Sequence, residues 1–251
     1  LESFYQDLEK GDAGRLLSIF EGEPSIDTPL DGEVRGAEAF SAFVKRQGDW
    51  LTERKARIRV INSIHAPERV VIEFVTDLVD GTRAISLPIA LVADTGEEKV
   101  TGIRICHSTY PLYGEHMTRK PMLEPRRDLR EPEVIREYMR GLAGRDSGPV
   151  LSLFAPGAYV REPSGDEYKH QGEEALKAFY DSALRSGGIP LKHCTATFDG
   201  KTFAVEFTVD RWGETRLENQ AGMAVYQLTD DARKIEAVRI YDDVTPPGEH
   251  E

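Results

Sequence analysis

Cysteine is nearly absent from this 251-residue chain: Cys106 and Cys194 stand far apart, in no metal or redox spacing. Two isolated thiols fit a reducing compartment, so a cytoplasmic location is expected. Long apolar runs are missing too. The longest are strand-sized, so no membrane-spanning segment and no membrane partner are expected. Basic excess is lacking: 32 Lys and Arg against 44 Asp and Glu leave a net charge of -12, which disfavours nucleic acid. The six histidines form no metal-ligand pattern, and there is no phosphate-binding glycine loop or Ser–His–Asp elbow. Neither a metal nor a cofactor is expected.

What remains is an ordinary globular composition, 39% apolar and 30% charged. It is long enough for two domains of roughly 125 residues, each with its own core. Phe4, Leu8, Leu16 and Phe20 flank a Gly11-Asp12-Ala13-Gly14 break, which predicts two short helices. Short strands follow at 25–28 and 33–35. Gly36 then precedes a helix with Ala39, Phe40, Phe43 and Val44 on one face. Period-two patterning predicts strands at 57–61, 70–75, 85–93 and 100–110, with Asp80-Gly81 and Thr95-Gly96 as turns.

The order then begins again. LLSIF (16–20) returns as VLSLF (150–154), SIDTP (25–29) as YVREP (159–163), and RGAEAFSAF (35–43) as QGEEALKAF (171–179). VIEF (71–74) returns as AVEF (204–207), and KVTGIRI (99–105) as KIEAVRI (234–240). Matches in one order at a nearly constant offset mark a duplication. The expected arrangement is α+β: domains at 1–118 and 132–251 joined by a linker at 119–131. Each has three helices on one face of a curved, mostly antiparallel sheet.

Leu153, Phe154, Ala158, Val160, Glu162 and Pro163, then Gly172, Ala175, Leu176, Phe179 and Tyr180, form the pattern through which the chain resembles the NTF2-like (SnoaL-like) superfamily. The first half keeps Phe20, Ile26, Pro29, Gly36, Ala39 and Phe43. The resemblance implies two tandem cone-shaped domains. Within the superfamily the second half is most similar to the Δ5-3-ketosteroid isomerases, where a carboxylate takes a proton while Tyr and a protonated Asp hold the enolate oxygen. The resemblance implies Glu162 as base and Tyr138 as donor. At the second donor's position stands Met223 or Ala224, which cannot donate. In the first half the three positions hold Phe4, Thr28 and Ile89 or Ala90, so chemistry is expected in the second domain.

A cavity lined by Phe154, Phe179, Phe207 and Tyr226 would raise the pKa of Glu162 toward that of a useful base. Trp212, near a hairpin tip, is a further candidate for contact with substrate. The expected function is binding of a small apolar carbonyl compound, polyketide- or steroid-like, with cofactor-free isomerisation or cyclisation. The alternatives are a non-catalytic binder or scaffold, or an epoxide hydrolase/cyclase. The last usually needs two carboxylates facing one cavity, and the strand expected at 191–198 holds no acid. Glu73 and Arg104, and their counterparts Glu206 and Arg239, are expected as cross-strand pairs on the outer sheet faces. Domains of this superfamily commonly pair through their sheets, so an intramolecular pseudo-dimer, monomeric in solution, is expected. His107, Asp242 and Asp243 are expected as exposed strand-end residues.

Overall fold

A computed structural model describes residues 1, 3–97 and 99–244, and the chain divides into two compact units, Leu1–Glu115 and His116–Glu251. The first unit runs α1 (Phe4–Glu9), α2 (Ala13–Ser18), β1 (Ser25–Thr28), β2 (Gly32–Arg35) and α3 (Ala37–Glu53). Then come β3 (Arg57–Ala66), β4 (Arg69–Asp80), β5 (Arg83–Thr95), β6 (Val100–Cys106) and α4 (Tyr110–Tyr113). The helix starts follow local chemistry. The Asp12 carboxylate accepts from the Arg15 amide at 3.0 Å, capping α2. Gly36, at φ 90, turns the chain from β2 into α3. The six strands are ordered β2-β1-β6-β5-β4-β3, all antiparallel neighbours except β1 and β6. Phe4, Leu8, Phe40 and Phe43 from the helices meet Ile72, Phe74, Leu91 and Ile103 from the sheet in one core.

The strand expected at 100–110 stops at Cys106. Pro111 sits in the first turn of α4, where its missing N–H costs nothing, and the Ser108 hydroxyl accepts from the Tyr110 amide at 3.1 Å. Local hydrogen bonding has overridden the β-rich composition there.

The second unit repeats the plan: α5 (Glu133–Leu142), α6 (Ser147–Leu151), β7 (Phe154–Arg161), β8 (Lys169–Gln171), α7 (Glu173–Ala183). Its sheet continues with β9 (Lys192–His193), β10 (Thr197–Phe198), β11 (Thr202–Trp212), β12 (Thr215–Leu228) and β13 (Ile235–Ile240). The path β8-β7-β13-β12-β11 repeats β2-β1-β6-β5-β4, including the parallel pair, here β7 with β13. The strand expected at 191–198 is broken into β9 and β10. Between them the amides of Cys194 and Thr195 both donate to the Glu206 carbonyl, at 2.8 and 3.3 Å, a bulge that interrupts pairing.

Residues 116–131 carry neither helix nor strand and lie along the second unit as a strap. The Ala221 amide donates to the Arg119 carbonyl at 2.8 Å, and the Arg126 amide to the His193 carbonyl at 2.8 Å. Arg119 pairs with Asp242 at 2.9 Å.

β5 lies between the strands of Glu73 and Arg104, and β12 between those of Glu206 and Arg239, so neither expected pair is on neighbouring strands. Asn62 donates to Glu73 at 2.8 Å, Thr195 to Glu206 at 2.9 Å, and Arg104 pairs with Asp94 at 2.5 Å. His107, Asp242 and Asp243 are buried rather than exposed. His116 and Arg119 of the strap pair with Asp243 and Asp242, which explains how those two carboxylates tolerate burial.

Candidate functional site

The first unit holds a cavity of ≈ 200 Å³ between its helices and the inner face of its sheet. α1 contributes Tyr5 and Leu8, α3 contributes Phe43 and Gln47, and β4 to β6 contribute Thr76, Leu87, Ile89 and Ile105. The wall is apolar, with a few polar groups at fixed points. Tyr5 packs edge-on against Phe74, with ring centroids 4.6 Å apart, and its buried hydroxyl has no hydrogen-bond partner. Burial, with the nearby Cys106 adding to it, pushes that phenol's pKa far up, so it stays a neutral donor. The Thr76 hydroxyl is likewise buried and unpartnered.

The other polar groups are engaged. Asp31 donates its amide to the Thr28 hydroxyl at 3.0 Å and accepts from Arg46 at 2.9 Å and Gln47 at 3.1 Å. His107 also lines the cavity. Its Nδ1 donates to the Ser108 carbonyl at 2.9 Å, which fixes the ring orientation.

The corresponding part of the second unit carries an aromatic cluster. Tyr138, on α5, is buried, and its hydroxyl shares a 2.8 Å hydrogen bond with that of Tyr180 on α7. Its ring meets Tyr226 at 5.4 Å and Phe154 at 6.2 Å. Burial pushes its pKa from 10.0 up to about 12, partly opposed by the Tyr180 bond. Glu162 stands one residue past the end of β7, and its Oε1 meets His170 Nε2 at 2.7 Å. The carboxylate side chain is 38% exposed, and His170 stacks on Phe179 at 4.6 Å.

Two groups therefore form: Tyr138, Tyr180, Tyr226 and Phe154 in the core, and Glu162, His170 and Phe179 toward the surface. Phe179 and Tyr180, 5.0 Å apart, join them. Tyr138 and Glu162 each bond to another residue. Phe207 lies over Gly222, and Trp212 donates its indole N–H to the Ala183 carbonyl at 2.7 Å, tying β11 to the end of α7.

Sequence reasoning passed over Tyr5 and Thr76. The repeat aligns Phe4 with Tyr138, so the phenol one residue later drew no attention. Both Phe4 and Tyr5 are buried, 1% and 5% exposed, because α1 is covered on a broad face. Thr76 sits in an apolar strand where only the cavity gives its hydroxyl meaning. Among the described residues, no group of three His, Cys, Asp or Glu could hold a metal ion. No helix among them is long and apolar enough to cross a membrane.

Residues 135–237 match the family model of the SnoaL-like domain. No curated protein matches the chain. Solved structures similar in fold include an NTF2-like protein from Anabaena variabilis, 19% identical over 45% of this chain and 86% of that one, with a TM-score of 0.39. Another, from Catenulispora acidiphila, has a ketosteroid isomerase-like fold in complex with trimethylamine; it is 16% identical over 46% of this chain and 89% of that one, TM-score 0.39. A third is an epoxide hydrolase/cyclase-like enzyme in pyran ring formation in the polyether salinomycin, 22% identical over 43% and 87%, TM-score 0.38. The second unit therefore carries a SnoaL-like domain. The chain as a whole is an α+β protein of two units that repeat one strand path.

Proposed function

We propose that the chain binds a small, largely apolar compound carrying one oxygen acceptor, such as a ketone, in the cavity of the first unit. The observation that carries this reading is the pair of buried, unpartnered hydroxyls on Tyr5 and Thr76 in the wall of a largely apolar cavity whose polar residues Thr28, Asp31, Gln47 and His107 are already hydrogen-bonded. A buried donor without a partner costs about 1–3 kcal/mol, and an acceptor on a ligand would remove that cost. At ≈ 200 Å³ the cavity falls below the roughly 300–1,000 Å³ of drug-sized pockets, which favours a one- or two-ring compound over a four-ring steroid.

Calorimetric titration of the chain with 1-indanone, an apolar two-ring ketone, tests this. Tyr5→Phe is expected to weaken binding by about 3- to 10-fold, the worth of one neutral hydrogen bond. Equal affinity in Tyr5→Phe, or no heat at millimolar ketone, rules the reading out. Cofactor-free isomerisation or cyclisation in the second unit, with Tyr138 as donor and Glu162 as base, is a separate proposal. The enclosed Tyr138–Tyr180 hydroxyl pair supports it. Glu162→Gln is then expected to cut enone turnover by about 10²-fold or more.

A further inference from the structure

β3 is an edge strand: it ends the path β2-β1-β6-β5-β4-β3 and pairs with β4 alone. Every second residue of such a strand turns its N–H and C=O away from the sheet, a ladder that another extended chain can complete. Only part of β3 is open in this way. Its register with β4 shifts between Val60 and Asn62, which makes Ile61 the extra residue of a bulge. Just beyond it, the Asn62 side chain accepts from the Ser63 amide at 3.0 Å. The regular, open run is therefore 57–60, with Ile61 at its end.

That run is basic in an acidic protein. Against a net charge of -12, the segment Arg54-Lys55-Ala56-Arg57-Ile58-Arg59 holds four cations and no acid. Arg54 is engaged: it stacks on Trp50 at 4.5 Å and pairs with Glu53 and Asp80 at 3.7 and 3.5 Å. Lys55, Arg57 and Arg59 are exposed and make no ion pair among the described residues. Asp77, opposite Arg57 on β4, accepts from Ser86 at 2.8 Å instead, and Val75 stands opposite Arg59.

The two faces of the run differ. Ile58 and Val60 stand opposite Thr76 and Phe74, on the side of the cavity and core, so Arg57 and Arg59 lie on the other face. Val60 and Ile61 are nevertheless 43% and 39% exposed, apolar surface beside the open ladder. A strand laid along β3 meets both patterns: acids beside Arg57 and Arg59, apolar side chains beside Ile58 and Val60. A second copy of β3 would set arginine against arginine, which opposes self-pairing.

We propose that β3 is a docking edge for an acidic, extended segment of a partner protein, in which Glu or Asp alternates with Val or Ile. The segment adds to the six-stranded sheet as a seventh strand.

Fluorescence anisotropy of a labelled Glu-Val-Glu-Val-Glu-Val peptide with the intact chain tests it. Expected is saturable binding that weakens with added salt, and slowed hydrogen exchange at alternate amides of 57–61. Arg57→Glu/Arg59→Glu is expected to weaken binding by ~10-fold or more, with ketone binding unchanged because neither arginine faces the cavity. Glu-Pro-Glu-Pro-Glu-Pro, of equal charge but lacking the alternate N–H donors, is expected to bind ~10-fold or more weakly. If the double variant fails to fold, the wild type with the two peptides decides. Equal binding of the two overturns the proposal and leaves coulombic attraction alone. Binding that leaves the 57–61 amides exchanging as before also overturns it, as does no binding at about millimolar peptide.

Discussion

The phenol of Tyr138 has an ordinary pKa of 10.0 and is pushed up to about 12 because its anion would be stranded in the core. Tyr5, Tyr180 and Tyr226 are raised as well, burial being the largest cause in each. Between pH 10 and 12 the folded chain keeps protons that the unfolded chain releases. The stability tied to these groups is therefore complete below pH 10 and is lost as pH rises, by up to ~1.4 kcal/mol per unit for each tyrosine. Urea midpoints are expected to fall across that range, and tyrosinate absorbance from these four rings to appear only with unfolding. Tyr138→Phe strands the Tyr180 hydroxyl and is expected to cost about 1–3 kcal/mol, with Tyr138→Phe/Tyr180→Phe recovering part of it in a double-mutant cycle. Tyr138 and its aromatic neighbours could be read from the repeat. The partner of its hydroxyl could not, because Tyr180 is 42 residues away and only packing brings the two together.

At the scale of elements, strand neighbours decide what a small residue tolerates. Gly222 on β12 lies opposite Phe207 on β11, and an added Cβ would come within 2.2 Å of that ring. Gly222→Ala is expected to destabilise by about 1–3 kcal/mol, since the ring must move into a filled core. Gly102, on β6, has nothing within 4 Å of where its Cβ would stand, so Gly102→Ala is expected to be neutral or slightly stabilising in the same urea assay. Across β4, β5 and β6, Asp94 bridges Arg69 at 2.7 Å and Arg104 at 2.5 Å. Burial alone would raise this carboxyl's pKa, but the two guanidiniums outweigh it and hold it below the usual range. Its contribution is present above the usual carboxylate pKa and is lost as pH falls through the lowered one. The strands themselves were legible from period-two patterning. The break between β9 and β10 was not, because it depends on two amides sharing the Glu206 carbonyl rather than on any local turn residue.

For the whole molecule, duplication was the clearest message in the sequence, and the shared strand path of the two units carries it into three dimensions. The first-unit cavity was hidden for the complementary reason. Repeat alignment ranks the halves by likeness to a family pattern, whereas an open space depends on which side chains fill it. The ≈ 200 Å³ space of the first unit is set by Tyr5, Thr76 and Leu87, none of them part of the family pattern. Duplication also bears on assembly. The resemblance to a superfamily whose separate domains commonly pair sheet to sheet implies that a chain with two such sheets would need no second copy. We propose on that ground that the protein is a monomer. Light scattering after size exclusion is expected to give the mass of one chain from micromolar to hundreds of micromolar, unchanged by salt. A mass that climbs toward two chains with concentration would show that a sheet face is still open to another copy, and would sink the proposal.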